Sequence, residues 1–302
     1  MAPSTVCILV RHNPPTGFRE RALSALAQCD GLIVIDNGSE DTAELDLLET
    51  VPGAQIHRND RNLGIAKALN QGLEAACAMG ADYALLLDHD STLERGGVNH
   101  LRAAATGWPD GKTAAAVPRI RYGHPGIACR WPRTANGSRW RFGFVYADKL
   151  AAPCEVDLAI SSGMLVSVPI WKQLGGFDET LFIDFVDIEY CLRARAAGFR
   201  IVAAPKALLF HELGAVSEGK LLRRFAVYPT HHSPLRHYYI SRNRVVLARR
   251  YARRFPSWLC YECLGSAKLS YKVLFHERQR PSKLAAMMRG TMDGVSIGLR
   301  DR

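Results

Sequence analysis

The stretch Tyr83-Ala84-Leu85-Leu86-Leu87-Asp88-His89-Asp90 constrains the chain more than any other. Five largely apolar residues bounded by polar ones suit a strand buried on both faces, as in a parallel sheet covered by helices. The run stops at two aspartates one residue apart, and in extended chain such residues point to the same side. Neighbouring carboxylates repel one another, and each loses hydration on burial. A divalent cation held by hard oxygen ligands answers both problems. A loop in which one aspartate caps the following helix explains the stretch equally well on its own.

The same design recurs upstream. Thr5 to Val10 reads as a first buried strand, ended by Arg11-His12-Asn13-Pro14-Pro15, because paired prolines do not continue a central strand. Arg19 to Cys29 carries apolar residues at helical spacing, and Gly31 to Ile35 forms a second strand that ends in Asp36. Strand, helix and strand in that space make a βαβ unit, whose ligands bind at the carboxyl ends of the strands. A dinucleotide site of the usual kind is disfavoured, since the first strand-to-helix turn lacks the glycines that let a pyrophosphate approach. Ala54 to His57 is a short third strand, and Asn62 or a neighbour caps a helix reaching about Met79, with small residues at 64, 66 and 68 allowing close approach.

Farther on, Phe182-Ile183-Asp184-Phe185-Val186-Asp187-Ile188-Glu189 concentrates carboxylates in an apolar setting. Asp184 is placed to cap a helix that stops before Gly198. Glu189 lies four residues before Arg193, so a surface ion pair accounts for it. Asp187 is left without a structural task, at a helix N-terminus that favours its ionised form. Phe199 to Ala203 is another strand, followed by Leu208-Leu209-Phe210-His211.

Bulk properties set the remaining bounds. The 302 residues, 48% hydrophobic and 23% charged, allow one large or two smaller globular domains. No basic segment followed by an apolar one opens the chain, and no apolar run approaches the ~20 residues of a membrane span. The eight cysteines, several inside apolar runs, point to a reducing compartment and a cytoplasmic location; the lone Cys260-x-x-Cys263 reads as helix packing. From Lys220 onward 18 Lys and Arg face 4 Asp and Glu, a net of +14, whereas the remainder is net −4. Such a tail suits an anionic partner. A nucleic-acid-binding protein is the alternative from another class, but the tail holds no recognisable reader motif and the acidic cluster at 178–189 repels phosphate.

Taken in order, Asp36-Asn37-Gly38-Ser39-x-Asp41, Asn62-x-Gly64-x-Ala66-x-Ala68-x-Asn70-x-Gly72 and Asp88-x-Asp90 resemble the family 2 glycosyltransferases of GT-A fold, over roughly residues 5 to 215. The implied architecture is α/β, a Rossmann-like, mostly parallel sheet flanked by helices, with a basic helical extension. The expected division is residues 1–215 for nucleotide-sugar binding and catalysis, and 216–302 for acceptor, membrane or dimer contacts. The resemblance assigns donor contacts to Arg11, Asp36, Asn62, Gly64, Lys67, Asp88, Asp90 and Arg242. Asp36 would meet the base, Asp88 the ribose side, and Asp90 with His211 a Mg²⁺ or Mn²⁺ ion. Asp187 occupies the position of the general base. Arg11 stands where the family usually carries a small or hydroxyl residue.

Phe-Ile-Asp-Phe-Val-Asp-Ile-Glu-Tyr-Cys-Leu-Arg, from Phe182 to Arg193, is similar to the rhamnosyltransferase branch, as is Leu87-Asp88-His89-Asp90-Ser91, where that branch usually has Gln in place of His89. The implied reaction is inverting, metal-dependent transfer of L-rhamnose from dTDP-β-L-rhamnose to a saccharide, lipid-linked in surface polysaccharide synthesis. A UDP- or GDP-sugar donor is the alternative. Tyr238-Tyr239-x-x-Arg242-Asn243 recurs in the branch and is expected to face donor or acceptor, or else to lie on a solvated helix. The helical residues beyond, with Trp258, Leu264 and Phe275 among many Lys and Arg, fit the surface of an anionic membrane at the cytoplasmic face of the inner membrane, or a homodimer interface.

Overall fold

The computed structural model describes residues 3–123, 127–135, 138–211, 219–221, 225–227 and 231–300. The expected domain boundary at 215 lies outside the described residues. The chain divides into two compact units. The first comprises Met1–Arg133, Phe144–Phe182 and Val186–Glu212; the second comprises Thr134–Gly143, Ile183–Phe185 and Leu213–Arg302.

The first unit is built on a single large sheet. Its strands and helices are, in order, β1 (Thr5–Arg11), α1 (Phe18–Leu26), β2 (Gly31–Asp36), α2 (Ala43–Asp46), β3 (Ala54–Arg58), α3 (Ile65–Ala78), β4 (Tyr83–Asp88), β5 (Ser91–Leu93), α4 (Gly97–Thr106), β6 (Thr113–Tyr122), β7 (Arg130–Thr134), β8 (Phe142–Tyr146), β9 (Cys154–Val156), β10 (Leu165–Ser167), α5 (Val168–Leu174), α6 (Val186–Ala196) and β11 (Arg200–His211). The sheet order is β3-β2-β1-β4-β10-β6-β11-β5, with β9 also on β11. β1, β2, β3 and β4 are mutually parallel, as are β6 and β11. Short β10 joins the two blocks by pairing antiparallel with β4 and β6. Every residue of β1 and β2 is buried, which is why these strands read as continuous apolar runs instead of alternating ones.

The register positions the chemistry. Arg11 pairs with Asp36 across β1 and β2, and Val10 pairs with Asp88 across β1 and β4. Three polar side chains therefore emerge together at the carboxyl edge of the parallel strands, where ligands of such sheets bind. After Asp90 the chain turns into β5, which lies antiparallel to the end of β11 with Ser91 opposite His211. β11 is one twelve-residue strand, with a register shift between Ala204 and Leu208 where Pro205 interrupts the ladder.

Three helices dominate the second unit: α7 (Pro234–Tyr251), α8 (Pro256–Phe275) and α9 (Arg280–Arg300). The short strands β12 (Gly219–Leu221) and β13 (Phe225–Val227) pair antiparallel. Ser233 caps α7 by accepting a hydrogen bond from Arg236 N, with Pro234 in the first turn. α9 lies against α7 closely enough that a Cβ on Gly290 would fall 2.2 Å from Tyr238 O, and one on Gly294 2.6 Å from Arg242 O. No helix among the described residues is long and apolar enough to cross a membrane.

Candidate active site

At the end of β2, Asp36, which the resemblance expects to meet the base, lies in a buried polar lattice. Arg11 is only 2% exposed, its Nε lies 3.1 Å from Asp36 Oδ1, and it also donates to Ser39 Oγ and Asp41 O. Burial works against its charge, and Asp36 is the first of the carboxylates that oppose this. Asn37 holds the next turn together. Its Nδ2 donates to Asn62 Oδ1 and Gly64 O, and its Oδ1 accepts from Leu63 N and Asn59 Nδ2. Asn62 thus belongs to this lattice; of the expected alternatives, Asn62 or a neighbour, the N-cap position of α3 falls to Gly64, with φ +87° and no side-chain cap. Lys67, in the first turn of α3, pairs with Glu179 at 3.2 Å.

At the end of β4, Asp88, Asp90 and His211 converge, with one ligand atom from each all within 4.8 Å of one another. The β5–β11 pairing delivers the histidine: His211 Nδ1 lies 3.4 Å from Asp90 Oδ1 and 2.7 Å from Ser91 Oγ. Ser162 Oγ hydrogen-bonds to Asp88 Oδ2. Burial pushes the Asp88 carboxyl above its ordinary range, against the Ser162 hydrogen bond and the nearby His211. For Asp90 burial acts in the same upward sense, but hydrogen bonding and charge from His211 outweigh it and leave the carboxyl low. His211 shows the reverse balance: burial disfavours its charge, and Asp90 overrides this to raise it. Two carboxylates and an imidazole are a donor set that suits Mn²⁺ and, less well, Mg²⁺. His89 is outside the group; its backbone oxygen accepts from Arg21 Nε, and burial lowers its imidazole.

Asp187 sits in the first turn of α6. Its Oδ2 accepts from Ser161 N at 3.3 Å and its Oδ1 from Ile188 N at 2.8 Å, so main-chain donors at a helix start favour the carboxylate form. Two expectations for this region are corrected. Asp184 does not cap α6: it has φ +60°, and Arg236 grips its carboxylate with Nε–Oδ2 and Nη2–Oδ1 both at 2.9 Å. Glu189 does pair with Arg193, at 2.8 Å, but the pair is no surface bridge, since Glu189 is 2% exposed. Arg242, in the second unit, donates from Nε to Asn243 Oδ1 and lies over the Tyr239 ring, 4.8 Å from its centroid.

The sequence profile of "Glycosyl transferase family 2" matches residues 6–174, more than half of the chain, and takes in the Asp88-x-Asp90 strand end. The chain belongs to this family. As a glycosyltransferase it is similar to dTDP-rhamnosyl transferase RfbF of Shigella flexneri, 28% identical over 252 residues that span 83% of this chain and 81% of the relative. It is also 25% identical over 228 residues to the N-acetylglucosaminyl-diphospho-decaprenol L-rhamnosyltransferase of Mycobacterium tuberculosis, across 65% and 72% of the two chains. Among solved structures, S. aureus TarS superposes with a TM-score of 0.53 at 15% identity, over 91% of this chain and 44% of that one. A shorter TarS in complex with UDP-GlcNAc gives 0.51 at 15% identity, over 97% and 73%. At these identities the structural likeness speaks for the fold alone, the GT-A arrangement of the first unit. What the residues alone did not reveal were the partners: Ser91 and Ser162 beneath the acidic pair, Asn37 as the knot of the β2 turn, and the grip of α7 on Asp184. Each is an ordinary polar residue whose partner lies far away in sequence.

Proposed function

We propose that this glycosyltransferase moves L-rhamnose from dTDP-β-L-rhamnose, with inversion, to a hydroxyl of a saccharide acceptor that is lipid-linked. The observation that carries the reading is the convergence of Asp88, Asp90 and His211 at the carboxyl edge of the sheet, with Asp88 and Asp187 bonded by the consecutive residues Ser162 and Ser161. The names of the relatives support dTDP-rhamnose as donor over a UDP- or GDP-sugar.

Asp187 acts as the base. It takes the proton from the acceptor hydroxyl as that oxygen bonds to the anomeric carbon and the bond from that carbon to the diphosphate oxygen breaks. The residues around Arg11, Asp36 and Asn37 seat the nucleoside, and the prebuilt hydrogen bonds mean that little ordering is left to occur on binding. Asp90 and His211, with Asp88 beside them, would hold a divalent cation, which when bound supplies positive charge to the leaving diphosphate. The second unit exposes Leu264 and Phe275 on α8, and Met288 and Met292 on α9, within its basic sequence. These suit contact with an anionic membrane surface that carries the acceptor lipid, more than a homodimer that would have to bring two cationic faces together.

Hydrolysis of dTDP-rhamnose and binding of dTDP, each with Mn²⁺ or with chelator, test the reading. Asp187→Asn is expected to lower turnover at least ~100-fold and leave metal-dependent dTDP binding intact. Asp90→Ala is expected to lose the metal dependence of binding. Near-normal turnover in the first variant removes Asp187 as base; unchanged Mn²⁺-dependent binding in the second removes the metal site.

A further inference from the structure

The four residues before α6 are unusual in their backbone. Phe182, Asp184 and Phe185 have φ of +63°, +60° and +66°, half of the six non-glycine residues with positive φ among those described. For bulky L-residues this region is disfavoured by clash of Cβ with the backbone, and such a run persists only where the surroundings over-determine it. Glycine would adopt it freely, and the chain has none there.

The second unit supplies the constraint, because Ile183–Phe185 belong to it. Arg236 makes its two-pronged contact with the Asp184 carboxylate. Asn243, with no exposed surface, donates from one Nδ2 to both Ile183 O and Asp184 O at 2.9 Å each. Its Oδ1 accepts from Arg242 Nε at 2.9 Å, which fixes which end of the amide faces the strained carbonyls. Arg244 lies over the Phe185 ring, 5.4 Å from its centroid. On the other side of the segment, Phe182 O accepts from Ile65 N at 2.7 Å, within the first unit. The next residues along the chain are Val186 and Asp187 of α6.

We infer that Arg236 and Asn243 are positioning residues for the base, holding Asp184 and Phe185 in the positive-φ conformation from which α6 starts and so fixing Asp187. Arg242 serves the same purpose by orienting Asn243. The Arg242-Asn243 pair of the sequence motif then acts through the segment before the base. This rests on the assignment of Asp187 above, and the test separates the two.

Hydrogen exchange of the unliganded protein comes first, since it needs no donor. In Asn243→Ala, and more weakly in Arg236→Ala, the amides of residues 186–190 are expected to exchange at least ~10-fold faster than in wild type, with β1 unchanged. Protection of 186–190 at the wild-type level in both variants overturns the inference, whatever the fate of the enzymatic reading. Kinetics follow with dTDP-rhamnose and Mn²⁺. Asn243→Ala is expected to lower kcat at least ~10-fold, with dTDP affinity within about twofold of wild type. Arg236→Lys, which keeps the charge but lacks the planar fork, is expected to fall between wild type and Arg236→Ala. A dead Asp187→Asn beside Asn243→Ala and Arg236→Ala of normal kcat overturns the positioning role alone. An active Asp187→Asn overturns the base assignment instead. Because Arg236 is partly exposed, its variants remain informative if Asn243→Ala fails to fold.

Discussion

Gly64→Ala tests how tightly the start of α3 is built against the segment before α6. Gly64 has φ +87° and ψ 161°, a region open essentially to glycine alone, so alanine there costs roughly 1–3 kcal/mol in backbone strain. Its Cβ would also fall 2.6 Å from Phe182 O and 2.6 Å from the Phe182 ring. The ring can swing but the backbone oxygen cannot, because Ile65 N holds it at 2.7 Å; overpacking of this kind adds roughly 1–3 kcal/mol. The expected loss is therefore about 2–6 kcal/mol, the sum of the two effects. Gly80 provides the matched control: φ is +74° and nothing lies within 4 Å of a Cβ, so Gly80→Ala should lose only about 1–2 kcal/mol. Urea unfolding of both variants, at unchanged m-value, measures the difference. If Gly64→Ala is no more destabilised than Gly80→Ala, the contact with Phe182 does not constrain the fold and the argument fails.

Three further outcomes are expected. Glu189→Ala leaves Arg193 facing an empty buried site and should cost about 3 kcal/mol, whereas Arg58→Ala breaks only bridges whose partners are about half exposed and should cost under ~1 kcal/mol; equal losses in denaturant unfolding would refute the distinction. Acid should weaken the second unit: burial, then Arg236, pushes His232 down to about 4, and burial lowers His237 despite Glu277. Asp184 and Lys283 also face these two rings. With folded values below the unfolded ones, the unfolded chain takes up the protons, so stability is fully present above about 6.5 and is lost as pH falls toward 4. The melting temperature should drop across that window, and His232→Gln should flatten the drop; an unaltered slope counts against the assignment. Finally, the protein should sediment with vesicles containing phosphatidylglycerol at low salt and not with neutral ones, and Leu264→Asp with Phe275→Asp should abolish this; retained binding by the double variant rejects α8 as the contact.

Much of the first unit was legible because its strands are buried on both faces. β1, β2 and β4 announce themselves as apolar runs, and Asp36 and Asp88 mark where they leave the core. β10 gave no such signal, since three residues carry no periodicity, and its antiparallel insertion is visible only in the pairing. His211 could be connected to Asp90 by resemblance, but the physical link, β5 folding back onto β11, depends on a register between residues 120 positions apart. The two misread carboxylates failed for one reason. Asp184 and Glu189 were interpreted through neighbours within one helical turn, whereas the fold gave Asp184 a partner 52 residues away and buried the Glu189 pair. Local spacing states which bonds a residue is able to make; packing decides which of them it makes.

Asn37 precedes Gly38, the sequence context in which an asparagine side chain is most readily attacked by the following backbone nitrogen and converted to aspartate. In the folded protein that route is closed: Asn37 is 3% exposed, and both its amide nitrogen and its oxygen are engaged. Unfolding opens it, and the product does not fit back. A carboxylate at position 37 would turn two donated hydrogen bonds, to Asn62 Oδ1 and Gly64 O, into contacts between acceptors. The β2 turn therefore gives the molecule a chemical clock that runs only while it is unfolded: a chain held too long in denaturant should refold with a damaged β2 turn, and a chain kept folded should age slowly.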